Sequence, residues 1–389
     1  MLIERSAKAQ LLYYLQHFPA VVLLGSRQVG KTTLAKSIFG LTGKPMVFLD
    51  MELPSDFEKL QHPEIFLRPL KDHCVVIDEV QRAPALFEAL RPLIDEHRVP
   101  GRFVLLGSAS PSVIRGASET LSGRVAYLEL SPLSLPEVQG YFSWRDHWFK
   151  GGYPEVLLTP DLPLAQDRLQ QFIRTFAERE LGALGQEVTP PLLLRLWQML
   201  AHHHGQMLNV QELSASIGMN TRTVNRYLDL LEGGFMTRRL LPWYANLGKR
   251  LVKTPKIYLR DSGMLHTLLR LTTPDALIGH PACGASWEGY VVEQIIRTAG
   301  PRWDYHFYRT AQGAEIDLLL TSPSGKKTAL EIKFSSAPVV TKGFYNSLED
   351  LKPDHAFVLT PESEPYPKPG NVQVRSLADF LMKELPVLA

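Results

Sequence analysis

The 389-residue chain contains only two cysteines, Cys74 and Cys283, far apart and in no metal-ligand spacing. That excludes a disulfide-stapled scaffold and a cysteine zinc site. Cys74 lies in an apolar run and reads as a small buried thiol. No apolar run approaches the 18 or so residues a membrane helix needs, and no charged-then-apolar leader opens the sequence. The expectation is a soluble, cytoplasmic, reduced protein with no membrane contact. Internal repeats and low-complexity tracts are lacking too; Pro361–Pro369 is a short proline-rich loop. A net charge of only +2 leaves no basic field over the whole chain, so any nucleic-acid contact must come from local patches. Hydrophobic residues make up 45% of the chain, ample for the two to four domains its length suggests.

The sequence is organised around Val21–Leu34. Four apolar residues, Val21 to Leu24, read as a buried strand. Gly25, Ser26, Arg27, Gln28, Val29, Gly30, Lys31 and Thr32 then fit G-x-x-x-x-G-K-[ST], and Thr33 opens a helical stretch. Strand, glycine-bounded loop and helix is the context of a phosphate-binding loop. The glycines let successive N–H groups turn toward phosphate oxygens, and the helix start adds its positive end. Lys31 is placed to reach the β- and γ-phosphates, and the Thr32 hydroxyl to hold Mg²⁺. ATP and Mg²⁺ are the implied cofactors.

Downstream, Pro45–Asp50 and Cys74–Glu79 read as strands. The latter is an apolar run ending in two carboxylates: Asp78 can order the Mg²⁺ shell beside Thr32, and Glu79, one residue on, points elsewhere and can polarise the attacking water. Phe103–Leu106 is the next strand, followed by Gly107 and Ser108. Two readings of Ser108 stand, a sensor of the γ-phosphate or a turn residue. Arg115 and Arg124 follow. Arg124 precedes the strand Ala126–Leu130, and can either reach a neighbouring subunit's nucleotide or form a surface ion pair.

These residues carry a resemblance. GSRQVGKTTL, VFLDMEL, CVVIDEVQ, VLLGSAS and ETLSGRVAYLELSPLS, in this order, look like the AAA-type core of bacterial and archaeal ATPases fused to a DUF4143-type C-terminal region, and GGYPEVLL continues it. The resemblance implies a ring-forming ATPase, expected to be a hexamer, with nucleotide between subunits. The sequence departs from the relatives' Arg-Asp at Glu178-Arg179-Glu180-Leu181. Leu164–Leu181 reads as an amphipathic lid helix.

A helix-turn-helix follows: a helix from Leu192, a short helix closed by Gly218, and a second helix over Asn220–Glu232 that opens with capping residues. Val224, Leu228 and Leu231 form its inward stripe, leaving Thr221, Arg222, Asn225 and Arg226 outward for phosphates and base edges. A wing runs on through LVKTPKIYLRD. Between Met236 and Arg260 lie seven basic residues and no acid, Arg238, Arg239, Lys249, Arg250, Lys253, Lys256 and Arg260, interleaved with aromatics. That is the pattern of a footprint on a phosphate backbone; a protein-binding winged helix is the competing reading. His202-His203-His204 diverge around a helix end and read as polar, not as metal ligands.

From Ser286 the pattern changes. Glu288 lies early on a helix, Asp317 on a strand, and Glu331 and Lys333 two apart on another, sharing a face. This resembles the PD-(D/E)xK nuclease superfamily. Asp317, Glu331 and Glu288 would hold Mg²⁺ while Lys333 orients water; Glu293 or Glu315 can stand in for one of these ligands. The competing reading is a buried ion pair in an inactive module.

The expected architecture is therefore α/β: an AAA-type P-loop core over 1–142, a helical lid over 143–187, a winged helix over 188–262 and a nuclease-like α/β domain over 263–389. The expected function is an ATP-hydrolysing DNA motor or remodeller acting on branched or repair-type DNA by structure rather than sequence, a choice resting on resemblance to DNA-repair ATPases and resolvases. The alternatives are an ATP-regulated, metal-dependent endonuclease and a signalling or defence ATPase whose winged helix binds protein.

Overall fold

The computed structural model describes residues 1–108, 121–180, 189–244 and 251–389. These form two compact units, Met1–Leu133 with Gly233–Phe235, and Ser134–Glu232 with Met236–Ala389.

The first unit is built on five parallel strands: β1 (Ala20–Leu24), β2 (Met46–Asp50), β3 (Cys74–Asp78), β4 (Phe103–Gly107) and β5 (Val125–Glu129), in the order β2-β3-β4-β1-β5. Every residue of β1, β3 and β4 is buried, as expected for central parallel strands covered on both faces. This is why they read as unbroken Val/Ile/Leu runs rather than as alternating ones. The helix Leu86–Glu96 supplies Leu86, Phe87, Leu90, Leu93 and Ile94 to the core on that sheet. The leading helix, Ala7–His17, buries Leu11 and Leu15. Register places Leu24 level with Gly107, so the loop after β1 and the ends of β3 and β4 share one sheet edge. Ligands of open parallel sheets bind outside such carboxyl ends.

The second unit begins with helices, among them Leu162–Glu180 and Pro190–His202. Val210–Ile217 is closed by Gly218 in the left-handed conformation, and Thr221–Gly233 follows with Asn220 accepting from the Thr223 amide at 2.8 Å. An antiparallel pair, β6 (Thr237–Leu240) and β7 (Lys256–Leu259), forms the hairpin. Six more strands make a mixed sheet in the order β12-β13-β11-β10-β9-β8. They are β8 (Asp304–Arg309), β9 (Glu315–Thr321), β10 (Lys327–Ile332), β11 (His355–Thr360), β12 (Tyr366–Lys368) and β13 (Val372–Ser376). The helix Cys283–Ala299, almost wholly buried from Ser286 to Ile296, packs between hairpin and sheet. The chain leaving β6 bridges β8 at Pro242 and Phe307, and Leu251 bridges Thr310, so the hairpin extends the sheet edge. The stretches read from sequence as winged helix and nuclease-like domain thus fold within one unit.

Candidate functional site

The loop after β1 takes its path from three backbone positions. Gly25 has φ +151°, and a Cβ there would lie 2.1 Å from the Leu130 carbonyl oxygen, so no side chain fits. Gln28 is left-handed at φ +62°, and Gly30 at φ +95° precedes the helix Lys31–Ser37. Lys31 is 6% exposed and its Nζ donates to the carbonyls of Gly25 at 2.8 Å and Ser26 at 2.9 Å. Burial lowers its pKa to about 8, against the pull of Glu79 and Asp78. Thr32 Oγ1 donates to Asp78 Oδ2 at 2.6 Å. Burial raises the Asp78 pKa, since the charged carboxylate is poorly solvated there. Ser26 and Val29 are buried, Arg27 and Gly30 half-buried, and Gln28 and Thr33 exposed.

Glu79 occupies left-handed backbone (φ 52°, ψ 45°), costly for a residue with a Cβ and worth about 1–3 kcal/mol of strain. The kink aims its side chain away from Asp78, while its own amide donates to Asp78 Oδ1 at 2.9 Å. Its carboxylate accepts from Ser108 Oγ at 3.2 Å and from Gln81 Nε2; Gln81 also donates to Ser108 at 2.8 Å. The buried Gln81 Oε1 has no partner. Hard oxygen donors at Thr32 and Asp78, a buried ammonium at Lys31 and an orphaned acceptor on Gln81 fit a Mg²⁺-nucleotide. Thr32 and Asp78 would hold the ion, and Lys31 the phosphates.

At the C-terminal sheet the predicted residues also converge, with different neighbours. Lys333 Nζ pairs with Glu331 Oε1 at 2.8 Å. One Asp317 oxygen accepts the Ile332 amide at 2.8 Å. Into the same cluster comes Lys256 from β7. Its Nζ lies 3.0 Å from Glu288, 3.0 Å from Glu315 and 3.9 Å from Asp317, and Tyr258 donates to Glu288 at 2.5 Å. Burial raises the Asp317 pKa, reinforced by the charges of Glu288 and Glu331. Among the described residues no three acidic, His or Cys side chains are grouped to hold a metal. The expected Mg²⁺ set of Glu288, Asp317 and Glu331 with Lys333 is therefore an ion cluster: an ammonium already neutralises the carboxylates. A nuclease metal does not fit.

Comparison with known proteins finds three family matches along the chain. Residues 17–139 match the family described as AAA domain, and 283–380 the domain of unknown function DUF4143. Residues 141–275 match a further domain of unknown function, DUF8612. An uncharacterized protein of Mycobacterium tuberculosis is 40% identical over 370 residues, covering 94% of this chain and 82% of the relative. The chain belongs to the AAA/DUF4143 family of P-loop ATPases. Among solved structures, the Walker-type ATPase of Pyrococcus abyssi aligns at 16% identity with a TM-score of 0.47, covering 69% of this chain and 96% of that one. The Thermotoga maritima RuvB Holliday junction branch migration motor aligns at 16% identity with a TM-score of 0.32, covering 61% and 90%.

In this AAA/DUF4143 ATPase several basic residues sit elsewhere than the sequence pattern suggested. Arg124 lies beside Ala20, at the sheet end opposite the phosphate loop. It grips Asp95 with both Nε (2.6 Å) and Nη2 (2.8 Å), the surface ion pair of the two readings. Among the described residues the basic footprint is largely spent internally. Arg238 and Arg260 pair with the buried Glu293, Arg239 with Asp229 and Glu232, and Lys256 is in the carboxylate cluster. This corrects the expectation that Arg238 and Arg239 are open to phosphates: a buried carboxylate needs them more. Thr221, Arg222, Asn225 and Lys253 are exposed, and Arg226 is half-buried. Arg115, Lys249 and Arg250, and the side chain of Arg179, lie outside the described residues. His204 is no polar helix end but buried, its Nδ1 accepting the Leu259 amide at 3.0 Å.

Two contributors escaped the sequence reading. Gln81 closes the CVVIDEVQ run, three residues past Asp78, where a polar side chain after a strand end was the available signal. Arg5 donates to the carbonyls of Val29 at 2.7 Å and Ser131 at 2.6 Å, clamping the phosphate loop from the chain's start. Nothing local in the sequence announces it.

Proposed function

We propose that this AAA/DUF4143 ATPase hydrolyses ATP to move or remodel DNA held by its helix-turn-helix. The observation that carries the ATPase half is the Thr32–Asp78 hydrogen bond beside a separately held Glu79. ATP with Mg²⁺ supplies the phosphoanhydride and the neutralising charge. Lys31 leaves its backbone carbonyls for the phosphates, and Thr32 and Asp78 keep the ion in place. Glu79, released from Ser108 and Gln81, orients the attacking water as a general base. In a hexameric ring Arg124 would have to exchange Asp95 for a neighbour's nucleotide.

The DNA half rests on the exposed Thr221, Arg222 and Asn225 at the start of the second helix, with Lys253 and Tyr244 on the hairpin side. Among the described residues the exposed cations here are Arg222 and Lys253, a pattern that favours backbone contacts on a bent or branched substrate over a long duplex footprint. The internal pairing of Arg238, Arg239, Lys256 and Arg260 favours the second reading, a protein partner on the same helix.

The deciding experiment is the ATPase rate with single-stranded, duplex, forked and four-way-junction DNA. Stimulation by a branched form, lost in Arg222→Ala, supports the DNA reading. A rate indifferent to every DNA would sink it and leave the protein partner.

A further inference from the structure

The C-terminal carboxylate cluster is where this chain departs furthest from what its motif implies. Four acidic side chains from three elements meet there: Glu288 from the helix Cys283–Ala299, Glu315 and Asp317 from β9, and Glu331 from β10. A set like this stays ionised only around a cation. Lys333 pairs with Glu331 at 2.8 Å and Arg309 with Glu315 at 3.4 Å from the more exposed side; the buried cation is Lys256, whose side chain is 4% exposed and whose Nζ is within 3.0 Å of two of the carboxylates. It reaches them from a fixed backbone. Lys256 pairs with Leu240 in the hairpin and bridges Met207 on its other side. Its ammonium also lies 5.6 Å from the Phe307 ring centroid, closing the apolar side. Tyr258, two residues on and on the same strand face, donates to Glu288 and so fixes the carboxylate that Lys256 meets.

We propose that Lys256 is an internal replacement for a metal ion: its ammonium occupies the cation position of the nuclease-like cluster. The cluster then fastens the hairpin to the sheet and does no metal-dependent cutting. Among the described residues the carboxylates are not grouped around a metal in the wild-type arrangement; removing the ammonium while keeping them frees them to draw together on a divalent cation. The inference does not depend on whether DNA or protein engages the helix-turn-helix.

The test is a Mn²⁺ titration of the full chain, free of nucleotide, read by electron paramagnetic resonance. The signal that matters is the binding lost on Asp317→Asn, which separates this cluster from the phosphate loop. Wild type is expected to have no Asp317-dependent Mn²⁺. Lys256→Met is expected to gain one Mn²⁺ per chain, lost again in the Lys256→Met/Asp317→Asn double variant. An Asp317-dependent Mn²⁺ in wild type overturns the proposal, as does a folded Lys256→Met that gains none. Should Lys256→Met fail to fold, wild type alone decides by amine acylation mapped by mass spectrometry. Lys256 protected equally with and without MnCl₂ supports the proposal; labelling that appears on adding MnCl₂ overturns it.

Discussion

The chain builds two sites from the same residue types, lysine and carboxylate, and neutralises them in opposite ways. At the phosphate loop, Lys31 donates to backbone carbonyls, and Asp78 and Glu79 are held by neutral donors, Thr32, Gln81 and Ser108. The positive and negative groups are kept apart, so the site is completed by something carrying both signs, which a magnesium nucleotide does. At the C-terminal sheet, Lys256 and Lys333 sit directly on carboxylates. That site is complete as it stands. Motif spacing reports which residues share a face. It does not report which of them have already found each other.

The largest expected effect lies in catalysis. Glu79→Gln should lower kcat for ATP hydrolysis by about 10²–10⁴, the range for loss of a general base. Asp317→Asn and Lys333→Ala, in the other site, should leave it within about twofold. A phosphate-release assay on all three variants checks this, and equal losses would dissolve the contrast.

Stability should separate the two lysines next. Lys256→Met strands buried carboxylates without their cation and should cost about 3–5 kcal/mol. Lys31→Met in nucleotide-free protein removes a desolvated charge and leaves two carbonyls less satisfied; these offset, and the net change should stay within about 1 kcal/mol. Urea titrations measure both. All six tryptophans, Trp144, Trp148, Trp197, Trp243, Trp287 and Trp303, lie in the second unit, so their fluorescence reports the region that Lys256 holds.

Acid should expose a further difference between the regions. His204 and His266, both in the second unit, are buried neutral, and burial lowers their pKa values to about 3 and about 4. The unfolded chain protonates these histidines first, so each withdraws about 1.4 kcal/mol per pH unit as pH falls below about 6.5. Burial alone would raise the Glu293 pKa, but Arg238 and Arg260 hold it down to about 2. Its contribution is present above the usual carboxylate range and lost as pH falls toward 2. Both act in one direction: the histidines should draw the tryptophan-reported melting temperature down steeply between pH 6.5 and 4, and Glu293 should add to the fall below about 4.5. His266→Gln should flatten that slope by about 1.4 kcal/mol per unit, and an unchanged slope would count against a neutral His266.

What could be read in the sequence follows from locality. Strand, loop and helix around Gly25–Lys31 are set by neighbours in the chain, and buried parallel strands advertise themselves as apolar runs. The order of Asp78, Glu79 and Ser108 along their strands placed them at one sheet edge. Arg5 and Gln81 were missed because their partners are found only after folding: Val29 and Ser131 lie 24 and 126 residues from Arg5. The basic run Met236–Arg260 looked free because no acid lies within it. Its acids, Glu288 and Glu293, stand one helical turn and a half apart on a helix that begins 23 residues later, and Asp229 and Glu232 precede it.

That relocation of charge sets the smallest prediction, and the one that most directly tests which cations remain available. If Arg222 contacts a phosphate, Arg222→Ala should weaken DNA binding across all sequences and reduce the slope of log K against log salt by about 1. Arg238, equally basic and equally suggestive in the sequence, is committed to Glu293 at 2.5 Å. Arg238→Ala should leave the salt slope unchanged while lowering the tryptophan-reported stability, because Glu293 loses one of its partners. Fluorescence anisotropy of a labelled four-way junction at several salt concentrations, set beside the melts, separates the two arginines. A reduced slope in Arg238→Ala would mean that this pair opens on DNA and that the footprint is larger than the exposed residues imply.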